Sequence, residues 1–251
     1  MNSVDIQLIR NATLKLNYGG KTLLVDPMLG EKNSMMSFVV PDQNLNPTVD
    51  LPFTKEEVIE GTDAMLLTHA HPDHIDPTAI ELLNKDLPVF SQDTEEQMLK
   101  DAGFTQVTPI TTSATFDGIE IERTGGKHGP EEVLDALGQV SGFVLRKSDY
   151  PTIYIIGDCL LDDEITENIK RINPDIIITN SGGAIFMGQA RILMDESETV
   201  KVAQLAPNAK VIATHIESLD HCQVTRTSLT AAAAEASVEV IIPADGEVIS
   251  F

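Results

Sequence analysis

The chain has 251 residues, of which 42% are hydrophobic, so it is long enough to bury a sizeable core. It carries 39 acidic and 17 basic side chains, and its net charge of -22 would repel both a nucleic-acid backbone and an anionic membrane surface. Neither nucleic acid nor a membrane is therefore expected as a partner.

The first 20 residues lack an apolar core of signal-peptide length. No other stretch approaches the roughly 20 apolar residues that a membrane-spanning helix needs. Only Cys159 and Cys222 are present, and their spacing is not CxxC, which agrees with a reducing compartment. The sequence therefore predicts a cytoplasmic protein.

Apolar runs of strand length alternate with helical patterns along the chain, which is typical of an α/β fold. Strand patterns at residues 4–9, 12–18 and 21–27, with Gly19 and Gly20 before the last of them, predict an opening antiparallel hairpin. A second antiparallel set is expected within residues 107–124 and 140–156. Helices are expected at residues 76–84, 93–102 and 226–236.

No internal repeat, charge block or long Gly/Ser linker interrupts the chain, so residues 1–251 are expected to form one domain. The stretch of residues 28–53 is unusual because it is punctuated by proline and asparagine yet contains Met35, Met36 and Phe38. A loop of this length inside a compact domain is commonly functional. These three side chains are therefore predicted to form a wall of a substrate pocket, with ordinary packing as the alternative.

The segment THAHPDHID, residues 68–76, holds three of the six histidines in the chain. His69 and His71 point to the same side if they lie on extended chain, and the proline that follows can turn Asp73 and His74 back beside them. Imidazole and carboxylate groups at this density suit a borderline divalent metal. Four donors in six residues exceed the needs of one open site, so two metals are predicted.

Further candidate donors follow other apolar strands. His128 lies in the Gly-rich GGKHGP, Asp158 follows IYIIG, and His215 ends VIATH. In open α/β sheets ligands bind at the exits of the strands, so these side chains are expected at one edge. A carboxylate such as Asp158 is the type of donor that can bridge two cations.

The order of these donors resembles the metallo-β-lactamase superfamily motif HxHxDH…H…D…H. Within the superfamily the chain looks most like the branch that includes the L-ascorbate-6-phosphate lactonases. The resemblance spans nearly the whole chain and implies an αββα sandwich, a four-layer α/β fold with the metal site at one edge. It implies that one metal is held by His69, His71 and His128, a second by Asp73, His74 and His215, and that Asp158 bridges them.

The implied cofactors are two divalent ions, zinc or manganese, with iron as a third option. A hydroxide that the two metals share would attack a small ester, lactone or phosphoester, and an anionic substrate is acceptable because the metals offset local negative charge. Asp73 would orient the hydroxide or return a proton to the leaving group, and Asp158 would fix the spacing of the metals.

Other residues have more than one interpretation each. His221 is a helix-cap or surface residue, a substrate contact, or the ligand in place of His215. Asp26 ends a strand or, as the family suggests, forms a hydrogen bond that orients a ligand histidine. Gly182 and Gly183 form a simple turn or support the site from behind.

Two rival functions remain. A redox di-iron protein of this fold typically has glutamate at the second motif position, where this chain has His71. A non-catalytic metal-binding protein would have the same ligands, and the difference would lie in whether residues 28–53 leave an open cavity over the metals. A small molecule is the expected partner, and a homo-oligomer is an open alternative.

Overall fold

The computed structural model describes residues 2–251, and its long strands form two sheets. In chain order the strands are β1 (Asp5–Arg10), β2 (Thr13–Tyr18), β3 (Lys21–Val25), β4 (Met35–Met36), β5 (Asn44–Asn46), β6 (Ala64–Leu67), β7 (Val89–Gln92), β8 (Val107–Ile110), β9 (Ser113–Phe116), β10 (Ile119–Thr124), β11 (Gly142–Arg146), β12 (Ile153–Ile155), β13 (Ile176–Asn180), β14 (Ile185–Phe186), β15 (Ala190–Arg191), β16 (Lys210–Thr214) and β17 (Val248–Ser250).

The helices of the described chain are short. They are α1 (Lys55–Ile59), α2 (Pro77–Leu82), α3 (Glu96–Asp101), α4 (Glu131–Leu137), α5 (Asp163–Ile172), α6 (Glu196–Leu205) and α7 (Arg226–Ala236). Within residues 2–251, none of them has the length and apolar character required to cross a bilayer.

The first sheet has seven strands in the order β17, β1, β2, β3, β6, β7, β8. Antiparallel pairing joins its first four strands, as predicted for the start of the chain. From β3 to β8 the strands are parallel, and α2 and α3 lie in the connections between them. Because parallel strands end at the same edge, the residues that follow β3 and β6 lie side by side.

The second sheet has six strands in the order β16, β13, β12, β11, β10, β9. Strands β9 to β12 are antiparallel neighbours, whereas β12, β13 and β16 are parallel and are connected through α5 and α6. The residues that follow these three parallel strands therefore also share one edge.

The two sheets pack face to face. Their inner faces share one apolar cluster, to which Leu16 and Leu66 contribute from the first sheet and Phe143 and Ile178 from the second. A second cluster lies between the first sheet and α1 to α3, and a third between the second sheet and α5 and α6. This helix–sheet–sheet–helix layering confirms the predicted αββα sandwich.

The three predicted helices are present. Helix α2 begins as expected, with Pro77 in its first turn and the side chain of Asp76 accepting a hydrogen bond from the backbone N–H of Ala79. It ends at Leu82 because Leu83 is already extended. Helix α3 begins at Glu96, after a single 3-10 turn at Asp93–Glu95.

The prediction of an antiparallel set within residues 107–124 and 140–156 is wrong for its first strand. Strand β8 pairs in parallel with β7 at the edge of the first sheet, and the chain enters the second sheet only at β9. An edge position suits β8 because Pro109 has no N–H to donate to a second neighbouring strand.

The turn between β2 and β3 requires glycine for two different reasons. Gly19 and Gly20 both have positive φ, at 65° and 82°, which matches the tight turn of a hairpin. A Cβ on Gly19 would also lie 2.9 Å from Cγ1 of the buried Ile119, whereas a Cβ on Gly20 would meet nothing within 4 Å. The two positions share the backbone strain and differ in the space available.

Gly19→Ala is therefore expected to lower the free energy of unfolding more than Gly20→Ala does. Each variant loses about 1 to 2 kcal/mol through positive φ, and Gly19→Ala loses roughly 1 to 3 kcal/mol more because its methyl group overpacks the core. Urea denaturation of both variants measures the difference. Equal losses would show that the second sheet does not pack against this turn.

Candidate metal centre and its cavity

Seven predicted donor side chains meet at the edge where strands of both sheets end. They come from the loop between β6 and α2, the loop between β10 and α4, and the residues after β12 and β16. They form two groups, and within each group the donor atoms lie within 4.8 Å of one another. The first group is His69, His71 and His128, and the second is Asp73, His74, Asp158 and His215.

The carboxylate of Asp158 lies between the two groups. Its Oδ2 is 3.2 Å from the Nε2 of His74, 3.5 Å from that of His128, 3.8 Å from that of His215 and 4.0 Å from that of His69. One oxygen therefore faces histidines of both groups, which is the position that a bridging ligand requires. Six of the seven donors are buried, and His71 is half-buried.

Asn180 fixes the orientation of Asp158, and the sequence interpretation missed it. Its Nδ2 donates a hydrogen bond of 2.6 Å to Oδ1 of Asp158, and its own Oδ1 accepts one of 2.8 Å from the hydroxyl of Thr214. Oδ2 of Asp158 is thereby left to face the histidines. The signal was available, because Asn180 ends an apolar strand in the same way as the donors that were predicted.

Each of the five histidines has one ring nitrogen facing the cluster and the other held from outside. The outer contacts are His69 Nδ1 to Thr68 Oγ1 at 3.1 Å, His71 Nε2 to the Leu137 carbonyl at 2.9 Å, His74 Nδ1 to Asp26 Oδ2 at 2.8 Å, His128 Nδ1 to the Ile192 carbonyl at 3.0 Å, and His215 Nδ1 to Cys222 Sγ at 3.7 Å. Metal-binding histidines are typically held in this way, since the outer bond fixes both tautomer and ring orientation.

One inward nitrogen lies 3.2 Å from Oδ2 of Asp158 without forming a hydrogen bond to it. Nε2 of His74 is buried and forms no hydrogen bond with any residue of 2–251. A buried polar atom without a partner is costly, and such exceptions require an explanation. A cation bound between His74 and its neighbours would satisfy this nitrogen, so the donor set fits a metal.

Asp26 has the orienting contact that the family resemblance suggested. It follows β3, and its Oδ1 accepts a hydrogen bond of 2.8 Å from the backbone N–H of Thr68. Its Oδ2 accepts one of 2.7 Å from the Thr68 hydroxyl and lies 2.8 Å from Nδ1 of His74. Asp26 therefore joins the end of β3 to both ends of the segment from Thr68 to His74.

The charges of the centre shift its pKa values in opposite directions. Burial lowers the pKa of His74, but the carboxylates of Asp158, Asp73 and Asp26 outweigh burial and raise it to about 10. Burial likewise lowers the pKa of His69, and the neighbouring His74 lowers it further, so that His69 stays neutral. With three buried carboxylates, the centre is an anionic pocket that attracts cations.

Gly182 and Gly183 lie next to the metal donors, and Gly182 passes close to the backbone of His215. A Cβ on Gly182 would lie 2.1 Å from the carbonyl oxygen of His215, so only glycine allows the chain to pass this close. Gly183 has a φ of +57° and donates its N–H to the carbonyl of Met194. The pair therefore forms more than a simple turn, because it gives His215 the space it occupies.

His215, and not His221, lies in the second donor group. His221 is buried beside the centre, and burial lowers its pKa to about 4. Its Nδ1 forms no hydrogen bond with any residue of the described chain. It lines the cavity that opens over the metal donors.

This cavity has a volume of about 210 Å³ and walls that are mostly apolar. Four donor side chains form its floor, and none of its lining residues is lysine or arginine. The lining residues are Phe38, His71, Pro72, Asp73, His128, Ala136, Leu137, Asp158, Ile185, Phe186, Met187, Ile192 and His221.

The predicted wall of Met35, Met36 and Phe38 is corrected by the structure. Phe38 lines the cavity, but Met35 and Met36 form β4 and lie outside the lining. The side chain of Met36 is 62% exposed. The opposite wall is the β14–β15 hairpin with Phe186, which the sequence interpretation missed. In the sequence, this wall is indicated by the apolar run at residues 184–187, which follows Gly183.

Comparisons with known proteins agree with this geometry. The family described as Beta-lactamase superfamily domain matches residues 21–216. UPF0173 protein YddR of Bacillus subtilis is 33% identical, over 99% of this chain and 100% of that protein. Two crystal structures are also similar, and each match covers 98% of both chains. An isothiocyanate hydrolase from Delia radicum gut bacteria is 35% identical, with a TM-score of 0.92. A "possible metal-dependent hydrolase" from Veillonella parvula is 33% identical, with a TM-score of 0.93.

Asp26→Asn is expected to weaken binding of divalent metal by about 10- to 100-fold. The amide N–H₂ would face Nδ1 of His74 as a second donor and favour the tautomer whose inward nitrogen carries the proton. Competition with a chromogenic chelator measures the affinity. Asp63→Asn is the matched control, because Asp63 accepts a hydrogen bond from Thr22 far from the centre. Equal affinities of both variants would contradict the orienting role.

Proposed function

Since this chain belongs to the β-lactamase superfamily and is a metal-dependent hydrolase of the metallo-β-lactamase fold, we propose that it uses two divalent cations to hydrolyse small uncharged electrophiles with an apolar substituent. One observation carries this proposal. Four donors drawn from both groups, Asp158 among them, form the floor of a cavity whose walls are mostly apolar and lack basic side chains.

The two groups would each hold one cation. His69, His71 and His128 would hold the first, Asp73, His74 and His215 the second, and Asp158 both. When bound, the cations would polarise the substrate and make a hydroxide available at neutral pH, without a separate base. Nitrogen and carboxylate donors in this proportion suit zinc or manganese, with iron as a third option.

Two carboxylates would act during the reaction. Asp73 lines the cavity, and its Oδ2 lies 3.1 Å from Nε2 of His215. A carboxylate at the cavity floor can orient the attacking water and carry a proton to the leaving group. Asp158 cannot turn freely, because Asn180 holds its Oδ1. It would therefore keep the two donor groups at a fixed spacing.

The walls favour an uncharged substrate. A phosphoester would enter a cavity that already contains Asp73 and Asp158 and that offers no lysine or arginine to its remaining oxygens. Esters and lactones carry no such charge. The phosphorylated lactone that the family resemblance suggested is therefore the weaker option for this chain.

Isothiocyanates belong to the same uncharged class. The isothiocyanate hydrolase similar to this chain shares 35% of its residues with it over 98% of both chains. An isothiocyanate has one electrophilic carbon on an organic substituent, which matches a small cavity with an apolar wall. Addition of water to that carbon gives a thiocarbamic acid, which separates into an amine and carbonyl sulfide. We therefore place isothiocyanates first among the substrates, with esters and lactones next.

The rival functions have less support. Residues 28–53 contribute Phe38 to the wall and leave the cavity open above the donors, which favours turnover over simple metal storage. His71 occupies the motif position where a redox di-iron protein has glutamate, and its Nε2 is bound to the Leu137 carbonyl. A small molecule is accordingly the proposed partner.

Protein purified without chelator and supplied with Zn²⁺ or Mn²⁺ is expected to contain two metal ions per chain. Elemental analysis measures the ratio. Asp158→Ala should reduce it to one or fewer, because the two sites share this carboxylate, whereas Asp63→Asn should leave it unchanged. A ratio of one in the saturated wild-type protein would contradict the two-metal proposal.

The substrate class is tested with three probes: benzyl isothiocyanate, phenyl acetate and bis(4-nitrophenyl) phosphate. We expect metal-dependent hydrolysis of the isothiocyanate and weaker hydrolysis of the ester, each with a higher kcat/KM than the phosphodiester. The reason is that only the phosphodiester brings a negative charge next to Asp73. A preference for the phosphodiester would overturn the assignment of an uncharged substrate.

Phe38→Ser is expected to raise KM for the best of these probes by about tenfold, since substrate would cover the phenyl ring, which is half-buried without it, and full burial of such a ring contributes roughly 1.5 to 3 kcal/mol. Met36→Ser is the matched control in the same loop, and its KM should stay at the wild-type value because its side chain lies outside the cavity. Steady-state kinetics with metal content measured in parallel gives the comparison. Similar KM values for both variants would show that Phe38 does not contact the substrate.

A further inference from the structure

His221 has a place in the cavity that the metal donors do not explain. It lines the cavity together with Phe38, is 6% exposed, and belongs to neither donor group. Its Nδ1 is buried and forms no hydrogen bond with residues 2–251. A buried nitrogen left unpaired costs about 1 to 3 kcal/mol, so a fold that retains one at a cavity wall requires a reason.

His221 is held from two sides, through its ring and through its backbone carbonyl. The ring of Phe38 meets it edge to face, with centroids 4.7 Å apart and an interplanar angle of 77°. From the opposite wall, the backbone N–H of Ile185 donates a hydrogen bond of 3.0 Å to the carbonyl of His221. His221 therefore contacts the loop that carries Phe38 through its ring and the β14–β15 hairpin through its backbone.

The neighbouring Asp220 ties the Phe38 loop to this segment. Its carboxylate accepts hydrogen bonds from the backbone N–H of Phe38 at 3.2 Å, from Nδ2 of Asn46 at 3.0 Å and from the hydroxyl of Ser37. The backbone N–H of Asp220 in turn donates to Oδ1 of Asn46 at 2.9 Å. The position of His221 is therefore set by a network that reaches neither metal group.

The chemistry of the ring suits hydrogen bonding to substrate. Because burial lowers its pKa to about 4, His221 is neutral at neutral pH, with an N–H on one nitrogen and a lone pair on the other. Apart from the donors on the floor, it is the only polar side chain among the lining residues of the described chain. A substrate that contacts this ring in the cavity can supply a hydrogen-bond partner.

We propose that His221 is a catalytic residue that donates a hydrogen bond to the substrate heteroatom that becomes negative as water adds to the electrophilic carbon. That atom is the carbonyl oxygen of an ester or lactone, or the terminal heteroatom of an isothiocyanate. The proton stays on His221, because its task is to stabilise charge that develops in the transition state. This inference rests on the proposed function.

Steady-state kinetics of metal-loaded protein with benzyl isothiocyanate tests the proposal. His221→Ala should lower kcat by about 100-fold, with KM changed much less and two metals retained, since loss of one such donor typically has this effect. His221→Gln keeps an N–H donor and should recover a substantial part of the loss. A kcat within twofold of wild type in His221→Ala would overturn the proposal, as would equally low kcat values in both variants.

A second measurement does not depend on turnover or on a variant that folds. Nitrogen-15 NMR of the wild-type ring is recorded with and without phenylacetohydroxamic acid, a probe that binds metals through two oxygens and carries a benzyl group. A shift of the His221 ring nitrogens on addition of the probe is expected, and an unchanged signal at saturation would contradict the contact. If no probe substrate is hydrolysed but the shift is observed, the proposed function fails while the contact of His221 stands.

Discussion

The edge of the sandwich buries three carboxylates, those of Asp26, Asp73 and Asp158, together with four imidazoles and the half-buried ring of His71, and the rest of the structure accommodates them. Charged and polar groups removed from water are stable only if partners replace the lost hydration. The protein supplies those partners on the outer side of the cluster. On the inner side the donor atoms converge on one another, and in a metal-dependent hydrolase cations are the partners that complete the set. The sandwich makes this possible because parallel strands of both sheets end at the same edge.

The outer contacts also connect the metal centre to the cavity. Leu137 and Ile192 hold His71 and His128 through their backbone carbonyls, and their side chains form part of the cavity wall. A change in the wall at either residue would therefore reach the metal donors as well. Phe38 differs, because its backbone is held by Asp220, which belongs to neither donor group, so this wall can vary while the chemistry on the floor is retained. Such a division allows relatives of one fold to share a reaction and differ in substrate.

The parts of the site that the sequence predicted are those with side chains in a recognisable pattern. The alternation of strands and helices gave the fold class, and the histidine-rich loop with the later donors gave the seven residues that the structure brings together. The acceptors that orient His71 and His128 are backbone carbonyls, which any residue carries, so no pattern could reveal them. Asn180 could have been found, because it ends a buried strand as His215 nearly does. Met35 and Met36 were assigned wrongly because the composition of a loop does not show which of its side chains turn inward.

Anomalous diffraction from crystals of the zinc-loaded protein would locate the cations. We expect two peaks about 3.5 to 4 Å apart, which is the usual spacing of a two-metal hydrolytic site. One should lie among the ring nitrogens of His69, His71 and His128, the other beside Asp73, and Oδ2 of Asp158 should lie between them. A single peak in fully loaded crystals, or a second peak away from Asp73, would contradict the claim that the buried carboxylates and imidazoles form one centre for two cations.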